Sequence, residues 1–422
     1  MVQSQQKWVS VRVLTISNYF PPAYVGGAET AAYMTCRGLE RRGVDVHVLF
    51  INARMPETNC YYDWDGLRVH QVTFSTPRRT SLTDIFDWRV YWATIEEIRR
   101  VRPDVVHIHN VSGTSLAPFV ACRMSNTPVV STLHDSWLLC PNNMLYRTGG
   151  AFCDPAQSPH RCAECFRRYD FWGDMPWRRR ILAGLVNRVH TFISPSQALV
   201  DLHVRGGYDR HRFQVIKNGI QVPFPAKLKH PGVWKVLNEE ARYTTLLYAG
   251  GGIEIKGIET LLSALPMLMR YVEPLRVVVA GGGEKHYFDK LRRYAPAIRL
   301  LGFVRYTDMP ALYAAADLTL AISVCLEGSS LVVQQSLLNG TPVVGSAVGG
   351  IPELMRDGET GYLISHRDPM AMAEKVILHL ARTPFERRQM RQRCIDYAAQ
   401  EFDYEQHLDA ASDVYRRAAR QA

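Results

Sequence analysis

Short runs rich in Val, Ile and Leu alternate along this chain with longer stretches in which apolar residues recur every three or four positions. The short runs, bounded by polar turns, predict buried strands, and the longer period predicts amphipathic helices. In the first half the runs are Val11–Ser17, Val44–Ile51, Leu67–Val72, Asp104–His109, Pro128–His134, Val189–Ser194 and Phe213–Lys217. Helical patterns cover Ala28–Arg42, Trp88–Arg102, Ser115–Met124 and Ser196–Arg205. Strand–helix alternation of this kind predicts a mostly parallel sheet with helices on both faces.

The periodicity lapses over Gly219–Arg242, where Pro223, Pro225 and Pro231 lie among scattered lysines, and this stretch reads as an interdomain linker. The alternation then restarts. Strands are expected at Thr245–Ala249, Leu275–Ala280, Ile298–Leu301, Leu318–Ser323, Pro342–Ser346 and Tyr362–Ser365. Helices are expected to begin near Ile258, Lys285, Asp308, Leu331, Pro369 and Pro384. The reading is α/β: two doubly wound domains, residues 1–222 and 223–402, facing each other, with ligands at the carboxyl ends of both sheets. A last helix, about Tyr404–Ala419 within 403–422, is expected to pack back on the first domain.

Length and composition narrow the class. A chain of 422 residues fits two domains better than one core. A hydrophobic fraction of 47% with 21% charged residues excludes disorder as the main state. No run approaches the ~18 apolar residues of a membrane-spanning helix. Arg12 interrupts the apolar stretch near the N-terminus, which argues against a signal peptide and for a cytoplasmic protein. The net charge of +10 is uneven: residues 1–222 hold 26 Lys+Arg against 18 Asp+Glu, the remainder 24 against 22. No nucleic-acid-binding module accompanies the excess, so it reads as a polarised surface of the first domain.

Four motifs lie where an α/β fold puts chemistry. Gly26 and Gly27 follow the first strand and open a helix, a place where backbone amides can approach a diphosphate. The spacing is not that of a dinucleotide fingerprint, which counts against a dehydrogenase. His134 and Asp135, in Thr132-Leu-His-Asp-Ser-Trp137, end a strand and can hydrogen-bond a polar substrate. Gly251 belongs to a Gly-rich turn after a strand in the second half, and Lys256 follows it just before a helix, a place that suits a diphosphate contact. Glu327 comes just after a strand, and Gln335 sits on the helix that follows. A carboxylate beside free helix-start amides can hold sugar hydroxyls.

Taken together, the chain resembles the retaining glycosyltransferases of family 4, which have the GT-B fold of two Rossmann-like domains facing across a cleft. The matching pieces are Gly26-Gly-Ala-Glu29, Asp104-Val-Val-His-Ile-His109, Leu133-His-Asp-Ser-Trp137, Ile216-Lys-Asn-Gly219, Lys256-Gly257, Gly281-Gly-Gly-Glu284, Ala316-Asp317, Glu327-Gly328, Gly340-Thr-Pro-Val-Val344 and Gly350-Ile-Pro-Glu353. They occur in family order over nearly the whole chain. The resemblance implies transfer of a sugar from a UDP-, GDP- or ADP-sugar to a hydroxyl acceptor (glycan, lipid-linked or small molecule), with retention and without a catalytic metal. It implies donor binding mainly by the C-terminal domain and acceptor binding by the N-terminal one. His134, Lys256 and Glu327 would be the catalytic residues. Gly26, Gly27, Gly251, Lys256, Glu327, Ser330, Leu331 and Gln335 would bind the donor. Two positions depart from the family: Gln335 replaces the second Glu of its E-x7-E pair, and Gly251 stands where an Arg is frequent. The alternatives are a non-catalytic sugar-nucleotide-binding homologue, favoured by those two departures, and a GT-B-type nucleotide-sugar epimerase.

Two further features stand apart. Cys140, Cys153, Cys162 and Cys165 are spaced to offer four thiolates to a structural zinc, and a subgroup of the resembled family shares such a loop after its His-Asp-x-Trp motif. The stretch Arg167–Ile181 mixes cations with Trp172 and Trp177. It suits either peripheral contact with an anionic membrane, a phosphorylated or polysaccharide acceptor, or a solvated helix over the core.

Overall fold

The parallel strands anticipated from the apolar runs form two separate sheets in the computed structural model of the chain. Described are residues 11–23, 26–75, 83, 85–109, 114–140, 143–147, 150–154, 175–221, 229–239 and 242–420, with the side chains of 175–177 excepted. The chain divides into two units, one of residues 1–219 with 404–422 and one of residues 220–403.

The first unit contains β1 (Arg12–Ser17), β2 (Asp45–Asn52), β3 (Arg54–Trp64), β4 (Leu67–Ser75), β5 (Val105–Ile108), β6 (Val129–Thr132), β7 (Val189–Ser194) and β8 (Phe213–Val215). Their order across the sheet is β3-β4-β2-β1-β5-β6-β7-β8. Every pairing is parallel except that of β3 with β4. The sequence reading lacked β3. Its residues are largely exposed, Pro56 lies inside it, and its register slips between Arg54 and Thr58. An edge strand with one face in water carries no apolar run to betray it, and Pro is tolerated there because only one side must donate.

Helices α1 (Gly27–Arg41), α2 (Trp88–Val101), α3 (Ala117–Met124), α4 (Met175–Leu185) and α5 (Gln197–Arg205) belong to this unit. α2 starts on Asp87, whose carboxylate accepts from the Arg89 amide, and α5 starts on Ser196, whose hydroxyl accepts from the Leu199 amide.

The second unit contains β9 (Thr244–Tyr248), β10 (Leu275–Ala280), β11 (Ile298–Gly302), β12 (Leu318–Ala321), β13 (Val343–Ser346) and β14 (Gly361–Ile364), all parallel, in the order β11-β10-β9-β12-β13-β14. Its helices are α6 (Pro231–Asn238), α7 (Ile258–Tyr271), α8 (Lys285–Arg292), α9 (Met309–Ala315), α10 (Leu331–Leu338), α11 (Pro369–Leu380) and α12 (Pro384–Glu401). α6 corrects the linker reading of Gly219–Arg242. Pro231 serves as a helix start, and Val233 and Val236 are buried with Leu247, Val278 and Tyr313.

The last helix, α13 (Tyr404–Ala419), belongs to the first unit. Leu408, Ala411, Tyr415 and Ala418 fall on one helical face and are buried with Val13, Val46, Val105 and Val130. Gly38 of α1 makes room for it, since a Cβ there would lie 2.5 Å from Leu408. Arg42 pairs with Glu405 and Asp409 at the rim of that contact.

In the first sheet the strand order reverses between β1 and β5, and in the second between β9 and β12. Ligands of open α/β sheets bind at the carboxyl ends of strands beside such a reversal.

Candidate active site

The two reversal points gather the predicted residues into two groups, one in each unit. In the first unit three loops contribute. The loop after β1 leads to Gly26 and Gly27 at the start of α1, the residue after β5 is His109, and His134 and Asp135 follow β6. His109 is anchored by its own amide, which donates to the Ile16 carbonyl at 3.0 Å. Its Nδ1 lies 3.1 Å from His134 Nε2. Asp135 Oδ1 accepts from the Trp137 amide at 2.8 Å, closing a tight turn that holds the strand end. A small cavity lined by His109, Thr132, His134, Asp135 and Trp137 opens beside the histidine pair.

Among the described residues nothing crowds Gly26. A Cβ there would sit 3.5 Å from Glu29, an ordinary contact, and its backbone is extended. It caps α1 without a side chain, and its amide and that of Glu29 donate to the Glu29 carboxylate. Glu29, which the sequence reading quoted without a role, is buried in the first turn of the helix.

Burial sets the charge state of this group. It pushes His134 down to about 4. It pushes His107 down to about 3, with the neighbouring His134 and His407 adding to the effect. Burial, with His107, His134 and His407 adding to it, holds His109 well below the usual histidine range. Burial raises the Asp135 carboxyl to about 6, with Glu29's charge adding to it, and burial raises Glu29 as well. Near neutral pH the imidazoles are uncharged hydrogen-bonding groups.

In the second unit the group is charged. Glu327 Oε1 lies 2.5 Å from Lys256 Nζ and accepts from Ser323 Oγ at 2.5 Å. Burial presses Glu327 toward its neutral form, but the Lys256 ammonium and the Ser323 hydroxyl more than offset this, and its pKa lies below the ordinary carboxylate range. Burial likewise opposes the charge on Lys256, and Glu327 restores it and raises the pKa. Lys256 is positioned from behind, because the Tyr248 hydroxyl donates to its carbonyl at 3.0 Å. The Val324 amide donates to the Ile255 carbonyl at 2.9 Å, tying the Lys256 loop to the strand end that carries Glu327.

Glycine 349 explains why Glu327 can sit where it does. Its φ is +55°, and a Cβ would lie 2.2 Å from the Glu327 carbonyl oxygen, while the next amide, of Gly350, donates to that oxygen at 2.7 Å. The sequence reading quoted Gly350 only as the start of a motif, yet Gly349 and Gly350 together seat the Glu327 backbone. Neither this role nor that of Ser323 has a local signal in the sequence.

Ser330 caps α10 without a side-chain hydrogen bond, which leaves the first-turn amides, from Leu331 on, with a partial positive charge at a helix start three residues along the chain from Glu327. Gln335 is buried on the same helix. Its side chain is hydrogen-bonded to the Tyr306 hydroxyl, which donates to the Gln221 carbonyl at 3.1 Å. With the tyrosine proton committed to Gln221, the amide nitrogen of Gln335 must be the donor to Tyr306, a bond an ionised Glu cannot make. Gly251 also has an internal reason. Its φ is +66°, and a Cβ would lie 1.9 Å from the Gly282 carbonyl oxygen, so this backbone has no room for an Arg side chain there.

Of the four cysteines proposed for zinc, Cys140 and Cys153 are half-buried, and Cys162 and Cys165 lie outside the described residues. Among the described residues no group of three or more His, Cys, Asp or Glu side chains is placed to hold a metal. Of the basic, aromatic stretch, residues 167–174 and the side chain of Trp177 also lie outside. Arg178 is buried: its guanidinium lies 4.6 Å from the Trp137 ring and donates to the Trp137 carbonyl at 3.0 Å. This part of the stretch braces the loop that follows His134. Among the described residues no helix is long and apolar enough to cross a membrane.

Comparison with known proteins places these groups in context. Residues 25–222 match Glycosyltransferase Family 4, and residues 243–382 match Glycosyl transferases group 1. The D-inositol 3-phosphate glycosyltransferase of Corynebacterium diphtheriae is 32% identical, the alignment covering 97% of this chain and 96% of the relative. The glycogen synthase of Mycobacterium tuberculosis is 26% identical over 97% of this chain and 95% of its own length. Anabaena HepE, solved with UDP-glucose, superposes with a TM-score of 0.71 at 18% identity, over 97% of this chain and all of that one. The alternating strands and helices, the reversal points and the motifs at the strand ends therefore belong together: the chain is a glycosyltransferase of family 4, with the GT-B fold.

Proposed function

We propose that the chain transfers a sugar from a nucleotide-sugar to a hydroxyl acceptor with retention of anomeric configuration, without a catalytic metal. The observation that carries this reading is the Lys256–Glu327 pair beside the uncapped start of α10. A sugar–nucleotide bond breaks with negative charge building on the diphosphate. An ammonium and a helix N-terminus held in place beforehand stabilise that charge without reorganisation, in the role a divalent metal plays elsewhere. Glu327, kept ionised, accepts hydrogen bonds from hydroxyls of the transferring sugar, and Ser330 and Leu331 offer amides to its phosphate. Gln335 keeps a carbonyl oxygen for a ribose hydroxyl. The backbone at Gly251 lies along the same donor path. In the first unit, Gly27 offers its amide to the donor phosphates, Gly26 keeps the backbone there free of a side chain, and neutral His134 hydrogen-bonds the transferring sugar. The departing phosphate takes the acceptor proton, which leaves positioning and electrostatics to the protein.

The name of the Corynebacterium relative specifies an inositol phosphate, and the cationic excess of residues 1–222 suits an anionic acceptor of that kind. HepE's complex with UDP-glucose makes that sugar the first donor to try. Peripheral contact with an anionic membrane from the cytoplasm belongs to the same reading, supported by the same excess, and co-sedimentation with anionic vesicles tests it. A structural zinc on Cys140, Cys153, Cys162 and Cys165 rests on their spacing. Metal analysis of the purified protein tests it, and a metal-free, fully folded chain with four titratable thiols overturns it.

The central test incubates the purified chain with UDP-glucose, GDP-mannose and ADP-glucose, with and without inositol phosphate, in the presence of EDTA. Acceptor-dependent nucleotide release and a product of the donor's anomeric configuration support the reading. Binding without release supports the non-catalytic alternative, an isomerised donor supports the epimerase, and an inverted product rejects retention.

A further inference from the structure

The Asp104-Val-Val-His-Ile-His109 motif puts two histidines two residues apart along β5 and its end, a spacing that points both to one face of the sheet. Behind them lies α13. His107 Nδ1 is 2.6 Å from the Tyr415 hydroxyl of that helix, and His107 Nε2 is 2.7 Å from Thr132 Oγ1. Both ring nitrogens of His107 are thus engaged, and the ring cannot turn without breaking a bond. The His109 ring sits against it, centroids 4.0 Å apart. On its other side His109 meets His134 through Nδ1 and Nε2, the two rings within 19° of parallel. A continuous file of side chains runs from Tyr415 through His107 and His109 to His134, entirely within the first unit.

The file fixes a proton. His109 Nε2 is buried with no hydrogen-bond partner among the described residues. Of the two neutral forms of His109, the one with its proton on Nε2 buries an orphaned N–H. The other places the proton on Nδ1, where it is donated to His134, and leaves a bare ring nitrogen buried. Orphaned buried N–H groups are the rarer and costlier of the two. His109 therefore donates through Nδ1, and His134 accepts at Nε2. A neutral imidazole that accepts at one nitrogen carries its proton on the other. His134 then offers Nδ1–H outward as a donor.

We propose that His109 is a positioning residue that fixes His134 as its Nδ1–H tautomer, so that His134 presents a hydrogen-bond donor to an oxygen of the nucleotide-sugar. The catalytic consequence rests on the reading of His134 as a sugar contact; the tautomer itself does not. Tyr415 and His107 act one step further back by holding the His109 ring in plane with its partner. The terminal helix is in this way connected to the active-site histidine through hydrogen bonds and ring contacts alone.

The experiment is two-bond proton–nitrogen correlation NMR on the full chain with 15N-labelled histidine at pH 7, the His134 signals identified by their loss in His134→Asn. The expected result is a protonated Nδ1 and an unprotonated Nε2 on His134. The state should survive in His109→Asn, whose amide N–H can replace the Nδ1 donor, and be lost in His109→Leu, which is similar in size but has no donor. A His134 protonated on Nε2 in the natural chain overturns the proposal, as does a His134 tautomer unchanged in His109→Leu. The natural-chain spectrum decides the matter even if His109→Leu fails to fold. Nucleotide release with UDP-glucose as probe supplies the functional arm: kcat should fall about tenfold or more in His109→Leu with the donor KM within about twofold, and recover in His109→Asn. If His134→Asn releases nucleotide at the natural rate, the sugar-contact reading fails while the tautomer result stands.

Discussion

The carboxyl edges of the two sheets are built alike and charged differently. In the first unit, His107 and His109 are buried and His134 is half-buried beside them, and desolvation strips them of charge. In the second, Glu327 is largely withdrawn from water and Lys256 is half-buried, yet each is held ionised by the other. The difference lies in the partner. A buried ionisable group facing neutral neighbours gives up its charge, and one facing an opposite charge keeps it. One Rossmann-like scaffold can thus supply neutral hydrogen-bond donors at one site and fixed charges at another, by the choice of two or three residues at strand ends.

The sharpest way to break the comparison is to remove one charge from the second group. Lys256→Met should lower turnover by about 100- to 1,000-fold, because it removes a stabiliser of the leaving diphosphate, as measured by nucleotide release. It should also destabilise the fold by about 2 kcal/mol in urea unfolding. That is less than a fully buried pair would cost, since the Lys256 side chain is 37% exposed and partly screened. Unchanged turnover would remove the pair from the mechanism.

Acidification tests the first group. From about pH 6.5 down to 4 the unfolded chain takes up protons that folded His107 and His134 refuse, so stability falls as the pH drops. Glu29 and Asp135 work the other way. Their raised folded-state pKa values stabilise the fold at low pH and withdraw that support as the pH climbs toward 6. Glu327 adds to the histidine effect, because its depressed pKa contributes stability that is lost in acid. His203 and His379, which burial also pushes down to about 4, add to the histidine side, so the net expectation is a loss of stability between pH 7 and 4.5 in urea titrations. In His107→Gln that slope should become shallower. A flat profile would mean the imidazoles are charged in the folded state.

A smaller effect isolates the seat of Glu327. Gly349→Ala forces a Cβ against the Glu327 carbonyl at a left-handed backbone position, and should cost about 1–3 kcal/mol of stability. Turnover should fall with it although no charged side chain has changed. Retained activity and stability would show that the loop yields freely.

The smallest effect concerns the departure at Gln335. Gln335→Glu sets a carboxylate against the Tyr306 hydroxyl in place of an amide donor, and Tyr306, which burial raises to about 12, keeps its proton. The loss should be about 1 kcal/mol, seen as a donor KM several-fold higher, and largely absent when Tyr306→Phe is introduced beforehand. A Glu variant with a lower KM would show instead that Gln weakens donor binding.

Much of this was legible in the chain itself. Lys256 and Glu327 stand at strand ends with glycines beside them, and His134 closes an apolar run, positions that carry meaning in any doubly wound sheet. What escaped notice shares a physical cause. β3 is an edge strand with no buried run to mark it. α6 lies in a Pro-containing stretch whose two buried valines pack on distant strands. Arg178 looked like surface charge, and only its contact with Trp137 shows otherwise.

The sequence by itself determined the alternation of strand and helix, the two-domain plan and the residue types at the strand ends, because each depends on periodicity and turn chemistry within a few neighbouring residues. The tertiary structure alone decided which charges survive and which protons are fixed. His107 meets a tyrosine 308 positions along the chain, Lys256 meets a carboxylate 71 positions away, and Gly349 makes room for the Glu327 backbone. Desolvation and hydrogen-bond pairing are properties of what surrounds a side chain in space, and no local pattern in the sequence encodes them.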